Sequence, residues 1–367
     1  MKTTAAVVHE QGQEFILEEV DLDEPRADEV LVTMVATGLC HTDISLRDSL
    51  PAEMFPRVFG HEGAGVVEQV GADVTGIEVG DHVVLSFRSC RECGPCREGA
   101  VGYCDNALML NYMGFRMDGS TTHQLKESGA PLYGSFFGQS SLAQHAIAYA
   151  DNCVVVDESL DLTLLAPYGC GFQTGAGTVL NVFDPSPDQS IVVFGVGAVG
   201  IAAVAAARAA GVEIVVAVDL MDSRLEVAER YGAQRVNPAY LGEQSVPDRV
   251  KELTGGGASY AIDTTAVSAV VKQAQLSLRA RGTLVALGLG TDEYAVDAID
   301  LLQSGKVIRS SIEGDSDPLE MIPRLLAMRA DGRFEVDHLV TTYPFTQINQ
   351  AVLDVLAGTV VKPVLVW

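Results

Sequence analysis

SIVVFGVGAVGIAAVAAA, residues 190–207, carries no charge over eighteen positions, and no other stretch bounds the fold so tightly. A run of that length can cross a membrane. Its glycines point elsewhere. Gly195, Gly197 and Gly200 fit G-x-G-x-x-G after an apolar strand and at the opening of an Ala-rich helix, which is the context a dinucleotide-binding βαβ unit requires. The chain around it agrees. IVVFG (191–195) reads as a fully buried strand, VGIAAVAAARAAG (199–211) as a helix, EIVVAVD (213–219) as the next strand and SRLEVAERYGA (223–233) as an amphipathic helix. YAIDTT (260–265) and TLVALG (283–288) continue the series. Buried strands alternating with helices imply a doubly wound parallel α/β sheet.

In such a unit Gly195 permits the tight turn, Gly197 lets backbone approach a pyrophosphate, and Gly200 lets helix and strand pack closely. The helix N-terminus offers unpaired N–H groups to the phosphates. Asp219 ends the second strand, nineteen residues after Gly200. A carboxylate there accepts from ribose hydroxyls and repels a 2′-phosphate, so the expected nucleotide is NAD rather than NADP. Arg224, five residues on, is the one feature that favours the phosphorylated form.

The rest of the chain has a different character. Residues 1 to about 157 hold short valine-rich runs punctuated by glycine, such as EVLVTMVATG (29–38), GAGVVEQVG (63–71) and DHVVLSF (81–87). That is a β-rich pattern. From about 310 the character is mixed, and the chain ends in a valine-rich strand, KPVLVW (362–367). At 367 residues the length suits two domains, so a β-rich module with an α/β module set into it is expected. The net charge of −25 argues against nucleic acid or an anionic membrane as partner. The N-terminal MKTTAAVVHEQGQEF lacks the apolar core of a signal peptide, so the expected location is the cytoplasm. In that reducing compartment clustered cysteines are more often metal ligands than disulfides.

Cys90, Cys93, Cys96 and Cys104 follow C-x2-C-x2-C-x7-C. Four thiolates saturate a tetrahedral zinc and leave no position for a substrate, so such a site is structural. Iron–sulfur ligation is the rival reading, since ferredoxin runs share the opening spacing. The polar neighbours Arg91, Glu92, Arg97 and Glu98 favour an exposed zinc lobe. Cys40 in GLCHTD, His61 in GHEGAG and Cys170 in GCGFQTGAG lie far apart, and spacing alone does not join them. A single cysteine is more often a buried filler than a ligand.

GLCHTD, GHEGAG, the four-cysteine run, GCGFQTGAG and GVGAVG occur in an order that resembles the zinc-containing medium-chain alcohol dehydrogenases, nearest their aryl-alcohol (benzyl-alcohol) branch. The resemblance spans about Ala5 to Trp367. It implies a GroES-like β-rich catalytic domain (1–171 and 310–367, with a structural zinc lobe at about 88–106), a Rossmann coenzyme domain (172–309) and an active site between them. It further implies two zinc ions per chain, with Cys40, His61 and Cys170 as the catalytic set and Cys90, Cys93, Cys96 and Cys104 as the structural one. Glu62 matches a carboxylate that can transiently ligate the catalytic zinc, and Asp43 the acid that orients the His61 imidazole. Thr42 matches the hydroxyl that contacts the substrate alcohol. His41 and Lys362 match contacts to the coenzyme pyrophosphate, and Val199 and Thr174 contacts near the nicotinamide. Phe87 and Leu142 match walls of the substrate pocket.

The implied reaction converts a primary alcohol, aromatic or allylic, to its aldehyde with NAD as hydride acceptor. Terpene alcohols of the geraniol type and medium-chain aliphatic alcohols are the next substrates. A catalytically silent nucleotide-binding relative is a further alternative, opposed by the complete set of Cys40, His61, Cys170 and Thr42. A thiol-adduct formaldehyde dehydrogenase would need a cationic recognition surface that the pocket candidates lack. Members of the family are dimers or tetramers. One departure stands out: where many relatives end a proton relay in histidine, this chain has Ser45, which cannot take up a proton near neutral pH. Water or a group such as Asp48 is then the exit.

Overall fold

The computed structural model describes residues 1–290 and 293–367, which form two compact units. The first comprises residues 1–170, 317–324 and 337–367, and the second 171–316 and 325–336. The chain therefore leaves the second unit after Ser316, later than the composition suggests, and it returns there once. The turn at 312–316 packs on the helix at Gly171–Gly177, and Tyr231 donates its hydroxyl to the Glu335 carbonyl at 2.5 Å.

The first unit is built around the long strand Glu29–Gly38, which is buried at eight of its ten positions. It pairs antiparallel with Gly63–Val70, with His145–Tyr149 and with the C-terminal strand Lys362–Val366. The β-rich pattern predicted for residues 1–157 is thus present, and the closing KPVLVW run completes the same sheet. Two registers fix the neighbours of the segment after Gly38: Thr37 stands opposite Gly63, and Gly38 opposite Val364. Helix α1 (His41–Ser49) starts soon after the strand. An aromatic core of Phe15, Phe55, Phe59, Phe87, Phe136 and Phe137 backs this region.

Glu29, at the start of the long strand, is buried yet charged. Its carboxylate receives Arg116 Nε at 2.6 Å and Nη2 at 2.9 Å, the Tyr149 hydroxyl at 2.8 Å and the Arg26 N–H at 3.0 Å. A bidentate guanidinium and two further donors satisfy the carboxylate without water.

The second unit opens with helix α2 (Gly171–Gly177) and is built on a six-stranded parallel sheet. The strand order is Gln234–Val236, Ile214–Val218, Ser190–Phe194, Ala258–Asp263, Leu278–Ala286 and Val307–Ser310. The uncharged run 190–207 is not a membrane span. It is the buried strand Ser190–Phe194, a turn and most of helix α3 (Ala198–Ala209), and no helix among the described residues is long and apolar enough to cross a membrane.

Burial pushes the Glu29 carboxyl up, and Arg116, Arg26 and Tyr149 outweigh it, leaving it below its ordinary 4.5. A depressed carboxylate contributes stability that is present above the unfolded-state value and is lost as pH falls through the folded one. Glu29→Gln leaves Arg116 buried without its main partner and should cost about 3–5 kcal/mol at neutral pH. Urea unfolding should show this gap narrowing as pH falls below about 4.5. Equal stability of the two proteins at neutral pH would remove the ion pair from the account of the fold.

Candidate functional site

Three strand ends in the first unit deliver the scattered residues to one point. Gly38 closes the long strand, and its N–H donates to the Glu62 carbonyl at 2.9 Å. Cys40 therefore arrives beside His61 and Glu62, while the register of Val364 opposite Gly38 brings Lys362 in from the C-terminus. Gly38 has to be glycine: a Cβ there would lie 2.0 Å from Glu62 Oε2. Cys170 is supplied by the turn before α2, where the Gly169 carbonyl accepts from the Ser86 hydroxyl at 2.6 Å. One ligand atom from each of Cys40, His61, Glu62 and Cys170 lies within 4.8 Å of the others.

Asp43 organises this group. It is fully buried on the first turn of α1. Its Oδ2 accepts from the Cys40 N–H at 3.0 Å, and its Oδ1 from the Gly60 N–H and His61 Nδ1, each at 3.0 Å. The bond to Nδ1 fixes the imidazole tautomer and turns Nε2 inward. That Nε2 is buried and has no hydrogen-bond partner among the described residues. Phe137 lies against the ring with centroids 4.7 Å apart, and Phe136 meets it edge-on at 5.5 Å. Gln139 locks the strand behind: its Oε1 accepts from the Gly63 N–H at 3.1 Å, and its Nε2 donates to the His61 and Ser86 carbonyls at 3.0 Å.

The electrostatics suit a cation. A hydrogen bond from Cys170, with His61 and Lys362 adding positive charge, holds the Cys40 thiol well below its ordinary value against the effect of burial. Burial opposes charge on His61, but Asp43 and Cys40 raise it well above the usual imidazole range. Burial pushes Glu62 up to about 7 despite the pull of Lys362. Two thiols, an imidazole with an unpartnered buried nitrogen and a carboxylate in reserve fit zinc in its open, catalytic arrangement.

The four clustered cysteines form a second group, with one Sγ of each within 4.8 Å of the others. Cys93 and Cys104 have their sulfurs 3.9 Å apart. An S–S edge of about 3.8 Å follows from Zn–S bonds of about 2.3 Å in a tetrahedron. Backbone N–H groups of Cys90, Cys93, Asp105 and Asn106 point at these sulfurs over 3.3–3.4 Å, as thiolates require. No cysteine is in a disulfide among the described residues.

In the second unit, Gly195 is left-handed (φ 80°), and a Cβ on Gly200 would lie 2.1 Å from the Gly195 carbonyl oxygen. The strand, turn and helix close as the motif predicts. Gly197 is the N-cap of α3, and a Cβ there would meet nothing within 4 Å, so the approach to its backbone is open. Asp219 accepts from the Val196 N–H and the Met221 N–H, each at 2.9 Å. It is therefore bound into the glycine turn itself. Arg224 Nη1 lies 4.0 Å from its carboxylate, so the arginine faces Asp219.

The remaining residues singled out from the sequence are more dispersed. Thr42 and Ser45 are on α1, and His41 is exposed at its first position. Phe87 and Leu142 are buried in the aromatic core alongside Phe59 and Phe136. Val199 lies in the first turn of α3, and Thr174 on α2 donates its hydroxyl to Glu313 Oε2 at 2.9 Å. Lys362, expected to contact a pyrophosphate, is buried with Nζ 2.5 Å from Glu62 Oε2 and 3.4 Å from the Leu39 carbonyl. A carboxylate buried this deeply needs a counter-charge, and Lys362 supplies it. Sequence reasoning missed that pairing, as it missed Gln139 and Glu313. None of them sits in a motif, and only the long-range register brings Lys362 to Glu62.

Comparisons with known proteins agree in two halves. Residues 26–158 match the model of the alcohol dehydrogenase GroES-like domain, and residues 198–328 that of the zinc-binding dehydrogenase. A geraniol dehydrogenase of Castellaniella defragrans is 40% identical over 366 residues, covering 99% of this chain and 97% of that protein. The crystal structure of an alcohol dehydrogenase zinc-binding domain protein from Burkholderia ambifaria superposes with a TM-score of 0.94 at 44% identity, covering 100% of this chain and 99% of that one. That of benzyl alcohol dehydrogenase from Acinetobacter calcoaceticus gives 0.93 at 38%, with the same coverage.

Metal analysis should return about two zinc ions per chain, as two complete ligand sets imply. Cys93→Ser and Cys170→Ala should each lower the content by one, and only the second should abolish turnover. Full activity in Cys170→Ala with its zinc retained would dissolve the scattered set.

Proposed function

The chain belongs to the zinc-binding alcohol dehydrogenase family, and on that footing we propose that it oxidises an aromatic or allylic primary alcohol to the aldehyde, reversibly, with NAD as acceptor. The observation that carries the reading is the meeting of Cys40, His61 and Cys170 around the unpartnered His61 Nε2. Three protein ligands with a fourth position open are what a catalytic zinc requires. Zinc held there supplies Lewis acidity toward a hydroxyl, and the nicotinamide supplies the hydride acceptor.

The residues of this chain then have separable tasks. Asp43 holds His61 in one tautomer. Lys362 draws Glu62 to one side. Thr42 Oγ1, two residues beyond Cys40, would receive the substrate hydroxyl proton. Ser45 Oγ, three residues further and on the same face of α1, can pass a proton but not store one near neutral pH, so release to water or Asp48 completes the path. Phe87 and Leu142 belong to the apolar wall that an aromatic ring would favour. Asp219 and the Gly197 amide region would bind the adenosine ribose and pyrophosphate, and the negative charge of Asp219 disfavours a 2′-phosphate.

Geraniol-type alcohols are the second reading, favoured by the 40% identity to a geraniol dehydrogenase. The working protein would be a homodimer or homotetramer. Val307–Ser310 ends the parallel sheet at an edge, and Ile299, Leu302 and Val307 beside it are exposed. An exposed apolar edge strand is normally covered.

NADH formation across benzyl, cinnamyl, geranyl and straight-chain alcohols should give the highest kcat/KM with an aromatic substrate. A clear preference for geraniol would select the second reading, and no turnover of any alcohol would refute both. Asp219→Ala should raise the NADP-to-NAD ratio of kcat/KM by about tenfold, the worth of roughly 1.4 kcal/mol of relieved repulsion. An unmoved ratio would take the ribose role from Asp219.

A further inference from the structure

Glu313 is a buried carboxylate in the second unit, only 8% exposed. It follows Val307–Ser310, the last strand of the parallel sheet, and so lies at the carboxyl edge, where such sheets bind their ligands. Its backbone is left-handed (φ 52°), as are Gly314 (68°) and Asp315 (50°). Residues with a Cβ hold that conformation only where their surroundings over-determine it, and such places cluster at functional sites.

Here the surroundings do so. Ser311 Oγ donates to Asp315 Oδ1 at 2.7 Å and Arg309 Nη2 to Oδ2 at 2.6 Å. Asn181 Nδ2 donates to the Gly314 carbonyl at 3.2 Å. Gly314 lies bare against α2: a Cβ on it would come within 2.6 Å of Gly177 Cα. This contact sets the Glu313 side chain on α2, where Thr174 Oγ1 donates to its Oε2 at 2.9 Å and Gln173 Nε2 at 3.3 Å. Helix α2 in turn presses on the opening of α3, since a Cβ on Gly175 would lie 2.1 Å from the Val199 carbonyl oxygen. Glu313 thus stands one hydrogen bond from the helix that abuts the nucleotide turn.

Sheet order gives the direction. Ile214–Val218, which leads to Asp219, flanks Ser190–Phe194 on one side, and Ala258–Asp263 flanks it on the other. A dinucleotide with its adenosine ribose at Asp219 and its pyrophosphate at Gly197 crosses this switch point with its nicotinamide half. Glu313, after the last strand of the far side, is on the nicotinamide side. We propose that Glu313 is a specificity-determining residue for the redox state of the coenzyme: its carboxylate favours the cationic ring of NAD+ over the neutral ring of NADH. The proposal rests on NAD being the coenzyme. Away from water such a charge acts more strongly than on a surface.

Glu313→Gln keeps the shape and an acceptor for Thr174 but removes the charge. Dissociation constants are measured on the zinc-loaded protein, by calorimetry for NAD+ and by fluorescence titration for NADH. The affinity for NAD+ should fall about tenfold and that for NADH should stay within about twofold. Glu313→Gly relaxes the left-handed backbone. It should lose the same discrimination, which keeps the test open if the amide variant folds poorly. An unchanged NAD+/NADH ratio in either variant overturns the proposal, as does equal weakening of both nucleotides, which would leave Glu313 only positioning Thr174. If the wild type binds neither nucleotide, the NAD reading fails and the proposal with it. Tight wild-type binding with an unmoved ratio overturns the proposal alone.

Discussion

The carboxylate of Asp43 is the interaction on which the candidate site depends. Its two oxygens take three donors, from the Cys40 backbone, the Gly60 backbone and the His61 ring. The start of α1, the turn before Gly63–Val70 and the imidazole are thereby fixed to one another through a fully buried carboxylate. A network of this kind rigidifies because each member would be costly to leave unpaired in a low-dielectric interior. The His61 tautomer follows from it, and so does the orientation of Nε2 toward the two thiols.

The two cysteine groups solve the problem of holding a cation in opposite ways. The clustered set is local: four sulfurs within fifteen residues, with backbone N–H groups of the same loop directed at them. It closes on itself and has no need of the sheet. The scattered set needs the whole first unit, because Cys40 and His61 come from strand ends and Cys170 from the turn before α2, and only long-range contacts align them. Glu62 and Lys362 extend that dependence, since 300 residues of sequence separate two charges 2.5 Å apart. The closed group suits a structural ion and the open one a reacting centre.

The second unit shows a similar division. Its glycine turn is consecutive in the chain and folds as its spacing dictates. Asp219 is tied into that turn by the Val196 N–H, so the carboxylate and the backbone of the glycine turn are placed as one piece. The left-handed turn at Glu313–Gly314–Asp315 is different. Nothing in EGDS announces a buried carboxylate, and its position follows from the bare contact of Gly314 with Gly177.

What the sequence determined by itself is what is encoded locally: the parallel α/β unit, from buried strands alternating with helices; the nucleotide turn, from three glycines in strand–turn–helix context; and the four-sulfur group, from its spacing. Cys40, His61 and Cys170 were nameable only through resemblance, because no periodicity links residues 40, 61 and 170. The tertiary structure decided their meeting, through the pairing of Thr37 with Gly63 and the bond of Ser86 to the Gly169 carbonyl beside Cys170. It also turned Lys362 inward to Glu62 and gave the second unit residues 325–336 beside 171–316. The physical reason is the same in each case. Register and the neutralisation of buried charge are properties of pairs far apart in the chain, and neither leaves a mark on either partner's local sequence.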